Sequence, residues 1–437
     1  MTSTLVPIFI AFLLGLPIAR SLDRGADPLQ LAGTAFLYGT GTIFLVLLAF
    51  SVLGIPWSAP IVGAVLLVIF AVRALFEVRR MRGRRSRAPR PHIVDLLTLA
   101  TVAGYAFYAT AAAPWEVDFW AIWGLKARVF LESGGIDWRF LASGWNVFQH
   151  SDYPLLVPFN LDFGALVTGE WDDRWMGAWF VAWGASLIAV VRSLAAREAT
   201  PFFASLITVA VAASCLTRFV GLAEGPLVAF GTAAVLFLRM GLRDDDEAPW
   251  RHGALLLGLA ANCKNEGLAL LAAATLAVAI SGPRRGIVTR VKRLWPAFAL
   301  AAPWLVIRAL HALPTDLVSG SVLDRAMEHL SNGAAILGVL AARLAQPWAW
   351  IALAVALLAI PAATLARERF VLAVTAIQLL FFVGAYFTSP FDVAWHVWAS
   401  WPRLTAQLAA PISFVVVAML VRVLSEPPGI PLRESRA

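Results

Sequence analysis

The sequence predicts an all-α polytopic membrane protein with about 13 transmembrane helices and short surface helices in one long outer loop. Three observations carry this. The 437-residue chain is 60% hydrophobic and only 14% charged, where an ordinary globular chain carries roughly a quarter charged residues. Apolar stretches of 17 residues or more recur along the whole length, each long enough to approach or cross the hydrocarbon core of a bilayer. The basic residues also sort to one side once the apolar stretches alternate across a membrane. A soluble enzyme and a disulfide-built secreted domain are excluded. Two cysteines provide neither a disulfide framework nor a cysteine-rich metal site.

The first twenty residues, MTSTLVPIFIAFLLGLPIAR, lack a basic n-region and a small-residue cleavage site. They read as a first membrane helix at 3–19 rather than a removed signal peptide. Apolar windows follow at 31–54, 59–78, 93–113, 174–194, 199–217, 225–242, 251–264, 267–281, 294–312, 347–366, 370–388 and 402–424. The windows 251–264 and 267–281 are short enough for half-helices or steeply packed ones. Between the third and fourth windows, residues 79–90 hold seven arginines. Cytoplasmic loops accumulate Lys and Arg, so the third helix descends, the fourth ascends, and the rest alternate, with the N-terminus outside and the C-terminus inside. On that topology 25 of the 35 basic residues lie inside and 10 outside, while the acids split 12 inside and 15 outside. The arginine run is an orientation signal in contact with anionic lipid, not a nucleic-acid site. The acidic run 244–247 is a solvated cytoplasmic turn.

The unusual material lies outside. Residues 114–173 are too polar for a simple connector, and tryptophans gather at the outer boundaries, among them Trp57, Trp115, Trp120, Trp123, Trp398 and Trp401. An interfacial aromatic belt explains such residues without any function. Their clustering on one side suggests a structured outer cavity. Within the loop, 119–132 interleaves Trp120, Trp123 and Phe130 with Lys126 and Arg128 and reads as a helix along the membrane surface. The stretch 154–168, interrupted by Pro158 and Asp162, reads as a re-entrant or surface helix.

Several residues can carry chemistry. Glu116 and Asp118, just after Pro114, form an outer carboxylate pair able to take a proton from an acceptor hydroxyl or hold a cation; the ordinary reading is a solvated pair at a helix end. His150 is a ligand or proton carrier, or joins Asp152 and Tyr153 in capping the helix at Pro154. Arg218 and Glu224 flank one outer turn, Lys264 and Glu266 sit in a K-N-E-G turn that can simply pair them, and His396 and Arg403 flank the last span. Ionisable groups at such depth are costly and raise a functional hypothesis. All of these turns share one face. Cys215 and Cys263, near outer helix ends, read as packed thiols, with a disulfide as the lesser alternative.

These motifs, in this order, resemble the membrane-embedded GT-C glycosyltransferases, a group that includes protein O-mannosyltransferases and the lipid A aminoarabinose transferase. The resemblance rests on E-x-D at Glu116 and Asp118, D-Y-P-L-L at 152–156, A-E-G-P at 223–226, K-N-E-G at 264–267, and R-L with a following proline at 403–411. It covers roughly residues 93–424, leaving 1–92 as an N-terminal three-helix addition and 425–437 as a cytoplasmic tail. The resemblance implies inverting transfer, on the outer face, from a polyprenyl-phosphate-linked sugar donor to a glycan, lipid or protein acceptor. Asp118 would be the general base and Glu116 its assistant. Lys264, Arg403 and Arg218 would hold the donor phosphate, and His150, Asp152, Tyr153, Glu224, Glu266 and His396 would line the substrate site. Some members need a divalent metal ion and others do not, so that cofactor stays open. Two departures stand out. The acidic residue expected after an early core helix is Glu224 followed by Gly225, and no soluble domain is appended for a large acceptor. A transporter or flippase of lipid-linked substrates is the rival from another class; it would show two related halves, which the chain lacks. A glycan ligase or polymerase would share the outer acidic and basic site.

Overall fold

The computed structural model describes residues 2–78, 87–143, 149–216, 219–283, 285–315, 322–331, 333–344 and 360–425. All regular elements among them are helices. Helices α1 (Thr2–Leu22), α2 (Pro28–Leu53), α3 (Ala59–Val78) and α4 (Asp95–Ala111) come first. A π-helical turn, Phe119–Trp123, then runs into α5 (Gly124–Ser133), followed by α6 (Trp138–Ala142), α7 (Leu156–Thr168) and α8 (Asp173–Ala196). The second half comprises α9 (Pro201–Cys215), α10 (Glu224–Asp244), α11 (Glu247–Ala260), α12 (Asn265–Ile280), α13 (Ile287–Lys292), α14 (Trp295–Leu310), α15 (Val322–Ser331), α16 (Gly333–Leu344), α17 (Ala362–Arg367), α18 (Arg369–Thr388) and α19 (Val393–Ser425).

Among the described residues, seven helices are long and apolar enough to cross a membrane: α1, α2, α3, α8, α10, α18 and α19. This is the build of a membrane-embedded helical protein. Twelve of the thirteen apolar windows fall on helices, while the window 347–366 lies largely outside the described residues. The expected thirteen crossings are not matched by length. Helices α4, α9, α11, α12 and α14 have 17, 15, 14, 16 and 16 residues, about 21–26 Å at 1.5 Å per residue, short of a ~30 Å hydrocarbon core. Polar turns such as K-N-E-G cut these segments before they reach full length.

Local chemistry sets the ends. Asp27 accepts from the amides of Leu29 and Gln30, and Pro28 opens α2. Asp172 and Asp246 cap α8 and α11 in the same way. Gly54 closes α2 in the left-handed conformation at φ 67°. Small residues then let backbones touch. A Cβ on Gly39 would lie 1.6 Å from the Ala11 carbonyl oxygen, and one on Gly177 would lie 1.8 Å from that of Ala109. With no hydrophobic drive between helices in lipid, such close approach is what holds α1 to α2 and α4 to α8.

One continuous buried core runs through α1, α2, α8, α10 and α11, and a smaller one joins α16, α18 and α19. Helix α2 is packed on both sides, and Tyr38 hydrogen-bonds His252 of α11 at 2.7 Å. The segment 1–92 is therefore built into the molecule through α1 and α2, while α3 stays peripheral, with 11% of its apolar window buried.

The surface alternative for 154–168 and the surface placement of 119–132 need correction. Residues Leu156 to Ala165 of α7 are all buried, and the helix lies within protein, against α1, α2, α5 and α8. Its sequence is apolar all round, and Asn160, one of its few polar groups, donates to the carbonyls of Thr40 and Leu156 at 3.2 and 2.8 Å. A helix without a polar face is buried, not interfacial. The helix at 119–132 forms, but its apolar face packs on protein. Phe119, Trp123 and Phe130 are fully buried, and so is Lys126, expected on the polar side.

Charged residues gather at two opposite ends of the bundle. Glu224 opens α10 and Arg239 lies fifteen residues on, near its far end; Arg403 and Arg422 of α19 are nineteen residues apart, about 28 Å along a helix.

Candidate functional site

The first end collects residues from six separate parts of the chain. Asp118 stands just before the π-helical turn, and its Oδ2 accepts from Arg403 Nη1 at 2.5 Å, across 285 positions of sequence. Arg403 also lies 3.9 Å from Glu224 Oε1. The same Glu224 oxygen accepts from Lys264 Nζ at 2.8 Å, and Lys264 is 2.8 Å from Glu266. Lys264 and Glu266 do pair within their turn, as the simpler reading expected, and Glu224 is added to them. Carboxylates and cations thus alternate from Asp118 through Arg403, Glu224 and Lys264 to Glu266.

Burial grades along this chain. Glu224 is wholly buried and Lys264 6% exposed, whereas Asp118 and Arg403 are 23% and 34% exposed. The inner members are enclosed by protein, and the outer pair is the site's partly exposed edge. Burial works against the charge of Lys264, but Glu224 and Glu266 outweigh it and hold its pKa above the ordinary lysine range. One oxygen each of Glu224 and Glu266 is buried without a hydrogen-bond partner among the described residues, leaving acceptor capacity inside the site. Glu116 is half-buried. Its burial, reinforced by the nearby Asp118 and Glu224, raises its pKa against the pull of Arg403.

A second arm adjoins through Tyr153 and Asp152. Lys264 Nζ lies 5.7 Å from the centre of the Tyr153 ring, a cation-π distance. That ring stacks on His150 at 4.5 Å and on Trp123 at 5.6 Å. Asp152 Oδ2 accepts from Asn265 Nδ2 at 2.8 Å and sits 3.5 Å from Arg308, while its carbonyl accepts from Trp304 Nε1 at 3.1 Å. Lys126 donates to the His150 carbonyl at 2.7 Å, fixing the loop whose His150 adopts a left-handed φ of 48°.

Of the expected site residues, Glu116, Asp118, His150, Asp152, Tyr153, Glu224, Lys264, Glu266 and Arg403 therefore meet in one region. His396 does not join the charge chain: its Nδ1 bonds Ser389 Oγ at 2.7 Å and its ring meets Tyr386 edge-on. Arg218 lies outside the described residues. Lys126, Asn265 and Arg308 went unrecognised in the sequence. Arg308 had a usable signal, an arginine closing an apolar window at the outer side; Asn265 sat inside the K-N-E-G turn, and Lys126 was masked by its amphipathic surroundings. Cys215 and Cys263 are free and buried.

Among the described residues, no group of three or more His, Cys, Asp and Glu side chains is placed to hold a metal ion. The carboxylates Asp118, Asp152, Glu224 and Glu266 instead each face Lys or Arg. No family model, no curated protein and no solved structure matches this chain.

Proposed function

We propose that this chain is a GT-C-like membrane glycosyltransferase that moves a sugar from a polyprenyl-phosphate donor to an acceptor on the outer face. The observation that carries the proposal is the Asp118–Arg403 contact, which joins a potential base to a phosphate-binding fork at the exposed edge of a buried charge chain. In the reaction, the acceptor oxygen attacks the anomeric carbon and Asp118 takes its proton. The bond from that carbon to the phosphate oxygen breaks, the electron pair stays on phosphate, and polyprenyl phosphate leaves with the configuration inverted. Arg403 neutralises charge developing on the leaving oxygens through a bidentate fork. Lys264, pinned between two glutamates, holds the field of the site fixed. Glu116, with its raised pKa, serves as a neighbour able to share the proton.

A specific feature favours the rival transporter reading. A narrow slot below Glu266 is lined by Thr232, Thr375, Gln378 and Gln407, each with a buried polar atom lacking a partner among the described residues. One experiment separates the two. Purified protein in sealed vesicles is given a labelled polyprenyl-phosphate sugar. A glycosyltransferase releases polyprenyl phosphate stoichiometrically with sugar transfer; a transporter moves the intact donor across the bilayer and releases none.

A further inference from the structure

The end opposite Asp118 holds a second built cluster. Arg239 donates to both oxygens of Glu368, at 2.5 and 2.6 Å, and to Glu198. Arg422 bridges Glu368 at 2.8 Å and Glu198 at 2.7 Å, and Arg243 reaches Glu198 at 2.9 Å. The side chains of Glu198, Arg239 and Glu368 are at most 4% exposed. Two carboxylates thus face three guanidiniums, and the third of these, Arg243, is also held by the neighbouring Asp244 at 2.7 Å, so the ion network is balanced in itself. A cavity of about 630 Å³ opens beside them, lined also by Arg197, Arg367 and Arg369. Arg367 and Arg369 make no ion pair among the described residues and are exposed. The Oγ of Ser281, which also lines the cavity, is buried without a partner among the described residues. Leu242, Ala366 and Phe370 give the same cavity an apolar wall.

Surplus guanidiniums, an unpartnered hydroxyl and an apolar wall at the ends of lipid-length helices fit one ligand chemistry. We infer that this cavity binds the phosphodiester headgroup of an anionic phospholipid. Arg367 and Arg369 contact the phosphate oxygens, Ser281 donates one hydrogen bond, and Phe370 and Leu242 receive the start of an acyl chain. Arginine forks match phosphate geometry, and basic pockets between helices at the cytoplasmic surface are suited to such headgroups. The alternation set by the 79–90 arginine run puts this end on that side. The inference is independent of the glycosyltransferase proposal.

The test uses the purified full-length protein in neutral detergent, titrated with phosphatidylglycerol, phosphatidylcholine or inorganic phosphate, with binding read by native mass spectrometry. Phosphatidylglycerol is expected to bind at least tenfold tighter than phosphatidylcholine. The Arg367→Gln, Arg369→Gln double variant changes only exposed side chains outside the buried ion network and should weaken that binding about tenfold or more. Ser281→Ala should weaken it severalfold, and Arg251→Gln, outside the cavity, should leave it unchanged. Equal binding of the two lipids, or unchanged affinity in the double variant, would overturn the inference. So would displacement by inorganic phosphate at concentrations comparable to the lipid, which would assign the cavity to a soluble anion.

Discussion

Arg403 faces two carboxylates at once through a single nitrogen, Nη1, Asp118 at 2.5 Å and Glu224 at 3.9 Å, which leaves the rest of its planar fork to address a phosphate. Lysine keeps the charge but not the fork. Arg403→Lys is therefore expected to raise KM for the donor about tenfold with a smaller change in kcat, which steady-state kinetics will show. Unchanged KM would mean that Arg403 serves only to position Asp118. A second residue-scale prediction concerns the opposite end. The burial of Glu198 would raise its pKa, but hydrogen bonding and charge from Arg239, with further charge from Arg243 and Arg422, lower it to about 2. Because the folded value lies below the ordinary 4.5, the stability it contributes is present above that value and is lost as pH falls towards about 2. Glu198→Gln breaks a buried network at a cost of about 3–5 kcal/mol. Its Tm at neutral pH should drop, and the steep acid loss between pH 4.5 and 2 should flatten. An unchanged acid limb would show that other groups set it. Asp118, Glu224, Lys264, Glu266 and Arg403 were legible in the sequence as costly charges at helix ends. Asn265 was not legible as a site residue, because its role comes only from meeting Asp152, more than a hundred positions away, whereas Arg308 carried a signal in closing an apolar window.

The elements were legible wherever an apolar window was interrupted by a strong polar turn. The windows fell on helices because lipid-facing helices are apolar along their whole length. What the windows could not convey was enclosure. Helix α7 reads the same whether it lies on a membrane or within protein, and only its neighbours α1, α2, α5 and α8 decide. The close approach of α1 and α2 makes an element-scale prediction. A Cβ at Gly39 meets the Ala11 backbone, whereas one at Gly104 of α4 meets nothing within 4 Å. Gly39→Ala should destabilise the protein by about 1–3 kcal/mol through overpacking. Gly104→Ala should be neutral or slightly stabilising, since alanine is the better helix former. Thermal unfolding in detergent compares the two directly, and equal Tm values would refute the tight α1–α2 contact.

At the scale of the whole molecule, the ion pairs fall into two separate groups at opposite ends of the bundle. Asp118, Glu224, Lys264 and Arg403 pair with one another at one end, and Glu198, Arg239, Glu368 and Arg422 do likewise at the other. Alternation from the single arginine run assigns the two groups to opposite sides of the membrane, and labelling tests that assignment. Single cysteines at positions 137 and 139 should label from outside intact cells, and those at 87 and 90 should be protected; both native cysteines are buried. The reverse pattern would place the Asp118 site inside.

The measurement that bears most directly on the proposed chemistry is turnover by Asp118→Asn. The substitution keeps the side chain's shape and its ability to accept from Arg403 but removes the basic oxygen, and a general base contributes about 10²–10⁴-fold to such a step. Purified variant and wild type, reconstituted in vesicles with a polyprenyl-phosphate sugar, should bind donor alike. Transfer by Asp118→Asn should fall by at least a hundredfold. Near-normal transfer with normal donor binding would remove Asp118 as the base and contradict the mechanism proposed for this site.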